Sequence, residues 1–389
     1  MFSIHVYFTG VILTCGPKWK EHRRFCLSKL KDFGMGKSSL VKKLHEEANS
    51  LVKEMATQCG KPFNPKTLIS THVTNIISSI VFKGQFKHDD PRLLKMIDII
   101  DENLESTAIF GNFLPWLAHF PGDPIKFRKL KKNADAVFEY SFEIIAEHEK
   151  SFNENDIEDL TSAYIFEWKR LKDEKEPTTM SYVQLAAVIA DLFIAGSHTT
   201  STTIRWAIGC MILYPQVQAK LYKEVTNAIG TDKLPSLIDK TKLVYLEAFY
   251  LEVLRFCNLT IAAGLHSATH DLTFRGFTIP KDAIILPDLD SVQNDPEIWG
   301  DPDVFRPERF IDHSGNLLKK EENVLFFLGK RSCVGESLAR MELLIFLGAL
   351  VQNFKFESCP GTTLTMDQID GVFGFVHGPK SFDVMVIKR

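Results

Sequence analysis

The chain has 389 residues, of which 45% are hydrophobic and 24% charged, and a net charge of −3. It is long enough for a large apolar core, and so small a net charge excludes strong overall attraction to nucleic acid or to an anionic membrane. The seven cysteines (15, 26, 59, 210, 257, 333 and 359) are odd in number and scattered, with no CxxC pair. They read as free thiols of a reducing compartment rather than a disulfide framework or a zinc site. Thirty phenylalanines suit a large apolar interior or pocket.

In chain order, Met1 to Thr14 is apolar but short. It lacks a basic start and a clear cleavage site, and it is far below the length of a membrane span. Gly16 to Gly36 opens on Gly-Pro and closes on glycine, which predicts a helix. Trp19 and Arg23 are four apart and share a face, while Lys20, Arg24 and Lys31 make a basic neighbouring face. Taken alone, this is an amphipathic surface helix. Helices are also predicted over 38–59, 65–82, 91–107, 125–152 and 157–171, from their apolar spacing and Gly or Pro stops. Phe110 to Pro124 reads as a loop rich in Pro, Gly and aromatics, and Lys169 to Pro177 as a solvated connector.

Ser181 to Tyr214 has the longest helical pattern. Asp191 and Arg205 argue against a membrane span there, and no other stretch is long and charge-free enough for one. Its middle is peculiar. Gly196, Ser197 and His198 precede five hydroxyl residues, Thr199 to Thr203, which are poor choices for a helix interior. A local cost without local benefit marks either a bent core helix or a functional site. Pro215 to Ile229 is a further amphipathic helix. Lys242 to Cys257 is apolar except for Glu247, Glu252 and Arg255, and the last two are three apart on one face. Thr260 to Pro287 switches to short alternating stretches, a small β region, and Asp295 to Arg309 is a Pro- and Asp-rich meander. After the last helix, Thr362 to Arg389 reads as loops and strands.

Phe326 to Gly335 reads FFLGKRSCVG and feeds a long apolar helical run from Val334 to Leu350. Cys333 therefore lies in a glycine-flexed loop at a helix N-terminus, where backbone N–H groups and the helix dipole favour a thiolate. Such a thiolate can serve as an axial ligand to haem iron. The competing reading is a buried structural cysteine.

The pattern Phe326-x-x-Gly329-x-Arg331-x-Cys333-x-Gly335 resembles the haem-binding loop of the cytochrome P450 family. With Trp19-x-x-x-Arg23, Ala195-Gly196-Ser197-His198-Thr199-Thr200, Glu252-x-x-Arg255 and Arg309 in order ahead of it, the resemblance extends from about Gly10 to the C-terminus. It is closest to the microsomal animal branch that oxidises drugs and lipids. The resemblance implies a mostly α fold with a small β portion, in one domain over 1–389. It implies haem b (iron protoporphyrin IX) with Cys333 as the metal ligand, and Trp19, Arg23, His266 and Arg331 at the propionates. Phe326, Gly329 and Gly335 complete the haem loop. Thr199 and His198 manage protons, and Gly196 makes room above the haem. Glu252, Arg255 and Arg309 form a structural network. Phe110, Phe113, Ala195, Ala262, Gly264, Val372 and Phe373 line the substrate pocket.

The implied activity is monooxygenation of a small apolar substrate (fatty acid, steroid or xenobiotic). The electrons derive from NADPH through a flavoprotein reductase, with cytochrome b5 as a further partner and no nucleic acid. The implied place is the cytoplasmic face of the endoplasmic reticulum membrane. The chain departs from the pattern at His198, where the family has Asp or Glu, and at Leu265 and Asp290. A weakened proton relay is expected, so His198→Glu should raise the coupling of NADPH to product. The family's membrane anchor, proline-rich hinge and first strands are not matched, which makes a truncated, non-catalytic haem-binding remnant the alternative. A third possibility keeps the haem for isomerase or dehydratase chemistry, against which Thr199 argues.

Overall fold

A computed structural model describes residues 9–84, 86–105, 126–262, 264–318, 320–371 and 374–389. Phe110, Phe113, Val372 and Phe373 lie outside the described residues, as does Ala263. The first half is helical: α1 (Gly16–Asp32), α2 (Val41–Ala56), α3 (Lys66–Val81), α4 (Pro91–Leu104), α5 (Phe127–Lys150) and α6 (Leu160–Asp173). Then come α7 (Tyr182–Leu213), α8 (Pro215–Ile229) and α9 (Val244–Phe256).

The helix starts follow local chemistry. Pro17 and Pro91 sit in first turns, where the missing N–H costs nothing. Asp90, Asp159 and Ser181 cap α4, α6 and α7 by accepting from backbone N–H groups. Each predicted helix is present, with ends shifted by a few residues; α6 runs to Asp173, into the stretch predicted as a connector from Lys169, and α12 runs past Leu350 to Asn353.

Among the described residues, the small β portion is three antiparallel two-stranded pieces. β1 (His266–Ser267) pairs with β4 (Ile284–Ile285), and β2 (Leu272–Phe274) pairs with β3 (Phe277–Ile279) through the turn at Arg275 and Gly276. Two short helices, α10 (Leu289–Gln293) and α11 (Pro296–Trp299), follow. α12 (Glu336–Asn353) leads directly into β5 (Phe354–Glu357). After the single turn α13 (Met366–Ile369), the chain ends in β6 (Met385–Lys388), with Phe354 opposite Lys388.

α7 and α12 are the central helices, and both are buried on nearly every face. That is why neither shows a clean apolar stripe. By length and composition α7 would suffice to cross a membrane, contrary to the sequence expectation, yet it is packed into the core. It lies chiefly against α3, and also against α5, α12, α4 and α9. Gly196 belongs to that packing. A Cβ there would come 2.8 Å from Ile77 Cγ1, so the glycine lets α3 approach closely.

Candidate functional site

The site is assembled from the two ends of the chain. α1 is fixed to α6 by its apolar side. His22 Nε2 lies 2.9 Å from the Tyr164 hydroxyl, and the Phe25 ring meets Tyr164 edge-on. The same helix then presents Trp19 and Arg23 to the loop that precedes α12. Arg23 Nη2 donates to the Ser332 carbonyl at 2.6 Å. The Arg331 guanidinium stacks 4.1 Å from the Trp19 ring centroid, and it donates to the Thr14 carbonyl at 2.5 Å and the Val11 carbonyl at 3.4 Å. Trp19 Nε1 is buried and makes no hydrogen bond. An orphaned indole N–H beside two guanidiniums is a donor set waiting for an anionic oxygen. The positive field is real. Burial first, and then repulsion by Arg23, hold Arg331 below the usual guanidinium range.

The loop itself is set by backbone. Gly329 has φ +70°, with open space where a side chain would be, and Phe327 also sits at φ +60°. A left-handed phenylalanine is a strained choice, of the kind that marks functional loops. Its ring lies 5.1 Å from the His266 ring, which joins the β1 segment to the site. The Cys333 N–H donates to the Phe326 carbonyl at 2.8 Å, and Arg340 covers the Phe326 ring at 5.0 Å. The Gly335 backbone passes close to the sulfur, so that a Cβ there would lie 4.0 Å from Cys333 Sγ.

Cys333 is accessible to solvent but flanked by protein on its other sides. That crowding pushes its thiol above the ordinary cysteine range. The Gly335 and Glu336 N–H groups and the Arg23 charge pull it down and do not prevail. Burial thus outweighs the N–H groups at the helix terminus to which the sequence points. A coordinated cation would favour the thiolate.

α7 contributes a second wall. Ala195 is exposed and Thr199 partly so, four apart on one face, where they break the helix's mostly buried middle. The Thr199 hydroxyl donates back to the Ala195 carbonyl at 2.7 Å, as the hydroxyl run predicts. Asp191 Oδ2 accepts from the N–H groups of Val11 (2.7 Å) and Ile12 (3.0 Å), and Gln184 Oε1 accepts from Gly10 N–H. Residues 10–14 therefore bridge α7 to Arg331 and the Cys333 loop. Burial raises Asp191 to about 7, against the two N–H groups. Sequence reasoning noted Asp191 as an obstacle to a membrane span, and as a carboxylate seven residues before His198 that cannot be assumed to replace the relay's acid. The signal was there, since a lone carboxylate on an apolar helix needs partners.

His198 turns the other way. It is buried, with Nδ1 2.6 Å from Asp101 Oδ1 on α4, and Asp101 Oδ2 lies 2.8 Å from Lys66 Nζ. The seam around the pair, lined by Ser70, Thr74, Ser197 and Ser201, has no space for a water. Ala262 is paired with Asp288 in an isolated bridge, while Gly264 is exposed and its carbonyl lies 2.5 Å from His266 Nδ1.

Away from the loop, Glu252 forms a closed network. Arg255 donates to it twice, at 2.8 and 2.9 Å, and Arg309 Nε donates at 3.0 Å. All three side chains are essentially buried.

The cytochrome P450 family model matches residues 5–386. Cytochrome P450 2E1 of Rattus norvegicus is 36% identical over 386 residues, an alignment covering 98% of this chain and 77% of the relative. Cytochrome P450 2U1 of Rattus norvegicus is 36% identical over 394 residues, covering 100% of this chain and 74% of the relative. Cytochrome P450 2D27 of Mesocricetus auratus is 36% identical over 380 residues, covering 96% and 75%.

Proposed function

The chain belongs to the cytochrome P450 family, and from that premise we propose that its haem-thiolate monooxygenase chemistry acts on small apolar substrates with NADPH-derived electrons. Fatty acids, steroids and foreign apolar compounds are the substrate classes that suit it. A flavoprotein reductase, with cytochrome b5 beside it, is the electron-delivering partner, met at the cytoplasmic face of the endoplasmic reticulum membrane. When bound, haem b supplies the oxygen-activating redox chemistry, which a thiolate ligand biases toward O–O cleavage.

The residues present fit that group. Cys333 is the ligand, in a loop whose backbone leaves one side of the sulfur accessible. Trp19 Nε1, the unpartnered buried donor, reaches for a propionate together with Arg23, Arg331 and His266. Arg23 and Arg331 keep one hand on the backbone of 11, 14 and 332, so they are held in place before any anion arrives. Thr199 holds a proton on Oγ1. Its bond to the Ala195 carbonyl must be exchanged for it to donate toward the cleft. Ala195, Ala262 and Gly264 are the small residues that would keep that space free of bulk. The basic face of α1, with Lys20, Arg24 and Lys31 exposed, is the surface offered to the reductase.

The observation that carries this reading is the orphaned Trp19 indole beside Arg23, Arg331 and the accessible Cys333. The test is the absorption spectrum of the reduced, carbon monoxide-treated protein. A strongly red-shifted Soret band that disappears in Cys333→Ala is expected. An unshifted band in the unaltered protein would overturn thiolate ligation. Turnover of apolar substrates with reductase and NADPH then tests the finer reading.

A further inference from the structure

Two histidines and two glutamates converge on a part of the molecule that the oxygenase chemistry does not use. Glu47 and Glu54 are seven residues apart on α2, two turns along one face. His72 is on α3 and wholly buried, while His88 lies in the connection from α3 to α4. Glu47 Oε2 is 2.8 Å from His72 Nδ1 and 3.3 Å from His88 Nε2. Glu54 Oε1 is 2.5 Å from His88 Nδ1 and 3.6 Å from His72 Nε2. The imidazole centroids are 3.9 Å apart.

Three of the four ring nitrogens lie within hydrogen-bonding distance of a carboxylate oxygen, and the fourth, His72 Nε2, is buried and lacks a hydrogen bond. A divalent cation placed among these groups would take ring lone pairs and carboxylate charge at once.

We propose that Glu47, His72 and His88 form a binding site for a divalent transition metal, Zn2+ by its donor chemistry, with Glu54 orienting the His88 ring. Glu47 Oε2, His72 Nδ1 and His88 Nε2 are the donors, and one ligand atom from each residue lies within 4.8 Å of the others. Two imidazoles and one carboxylate are a donor set that zinc accepts, with a fourth position left for water. Glu54 takes the His88 Nδ1–H, the outer carboxylate that ligating histidines characteristically have. The entry path is an open groove of about 910 Å³ lined by Glu46, Glu47, Ser50, Glu54, Lys87 and His88. Bound metal would tie α2 and α3 to the turn at 88.

The test uses the haem-loaded full chain, treated with a chelator and titrated with Zn2+ by calorimetry. One Zn2+ per chain is expected, with a rise in Tm. Zinc-edge X-ray absorption should show nitrogen and oxygen at about 2.0–2.1 Å and no sulfur at about 2.3 Å, which separates this site from the free thiols. His88→Phe, on a partly exposed side chain, should abolish the site with the haem spectrum unchanged. Glu54→Gln should weaken binding about 10–100-fold. Absence of zinc binding, a sulfur shell, or binding unaffected by both substitutions would overturn the proposal.

Discussion

His198 shows most clearly what a single side chain changes. Burial pushes Asp101 up, but the His198 hydrogen bond and charge, helped by Lys66, hold it below the usual carboxylate range. A carboxylate depressed by folding stabilises the native state above its unfolded pKa, and that stabilisation is lost as pH falls through the lower, native value. Asp101→Asn should therefore cost about 1–3 kcal/mol at neutral pH. The gap between mutant and parent melts should close in acid, and a gap independent of pH would refute the argument. The same geometry revises the expectation for His198→Glu. Two carboxylates would meet where an imidazole and a carboxylate now meet, so the single substitution should lower Tm and bring no gain in coupling. Only with Asp101→Asn alongside should product per NADPH rise. None of this was legible in the sequence. His198 stood out against the family pattern, but a partner 97 residues away leaves no periodic trace.

Among the elements, α9 carries the heaviest constraint. Its Glu252 receives Arg255 from its own helix, Arg309 from the meander and the Arg306 N–H at 2.9 Å. Arg309 also donates to the carbonyls of Trp299, Asp301 and Val304, so it closes the meander around itself. Removing one partner of a buried charge network strands the other, at a cost of about 3–5 kcal/mol. Arg309→Ala should lower Tm sharply and reduce haem retention. If retention were unchanged, the network would be a local ornament of α9 and not a support for the site. The helices were legible because Gly and Pro punctuate them, and because 3.6-residue periodicity survives wherever one face meets solvent. Where burial surrounds the helix, as in α7, the pattern says only that the element is central. The α3–α7 contact behind Gly196 was invisible, since a glycine names no neighbour.

At the scale of the molecule, two carboxyls raised by burial shape the response to pH. Burial raises Asp191 to about 7, and raises Glu342, on α12, to about 8 against a hydrogen bond from Thr200. An acid raised by folding stabilises fully below its unfolded pKa and loses that stability as pH climbs through the native value. Tm should therefore decline between about pH 4 and pH 8, and Glu342→Gln should flatten the upper part of the decline. A mutant that tracks the parent across that range would exclude Glu342 as the source. Loss below about pH 4 through Asp101 and the decline above it through these two place the optimum on the acidic side of neutrality. The motifs that build the site were legible because each is local, a tryptophan and arginine one turn apart or a glycine-flanked cysteine. Their meeting was not, because Arg23 and Ser332 are 309 residues apart and Arg331 and Thr14 are 317 apart. That separation has a consequence in time. At a synthesis rate of roughly 5–20 residues per second, α1 leaves the ribosome about 15–60 s before the cysteine loop exists. Through that interval Trp19 and Arg23 have nothing to close upon. A nascent chain stalled short of residue 331 would lack both groups that Trp19 and Arg23 meet, the Arg331 guanidinium and the Ser332 carbonyl.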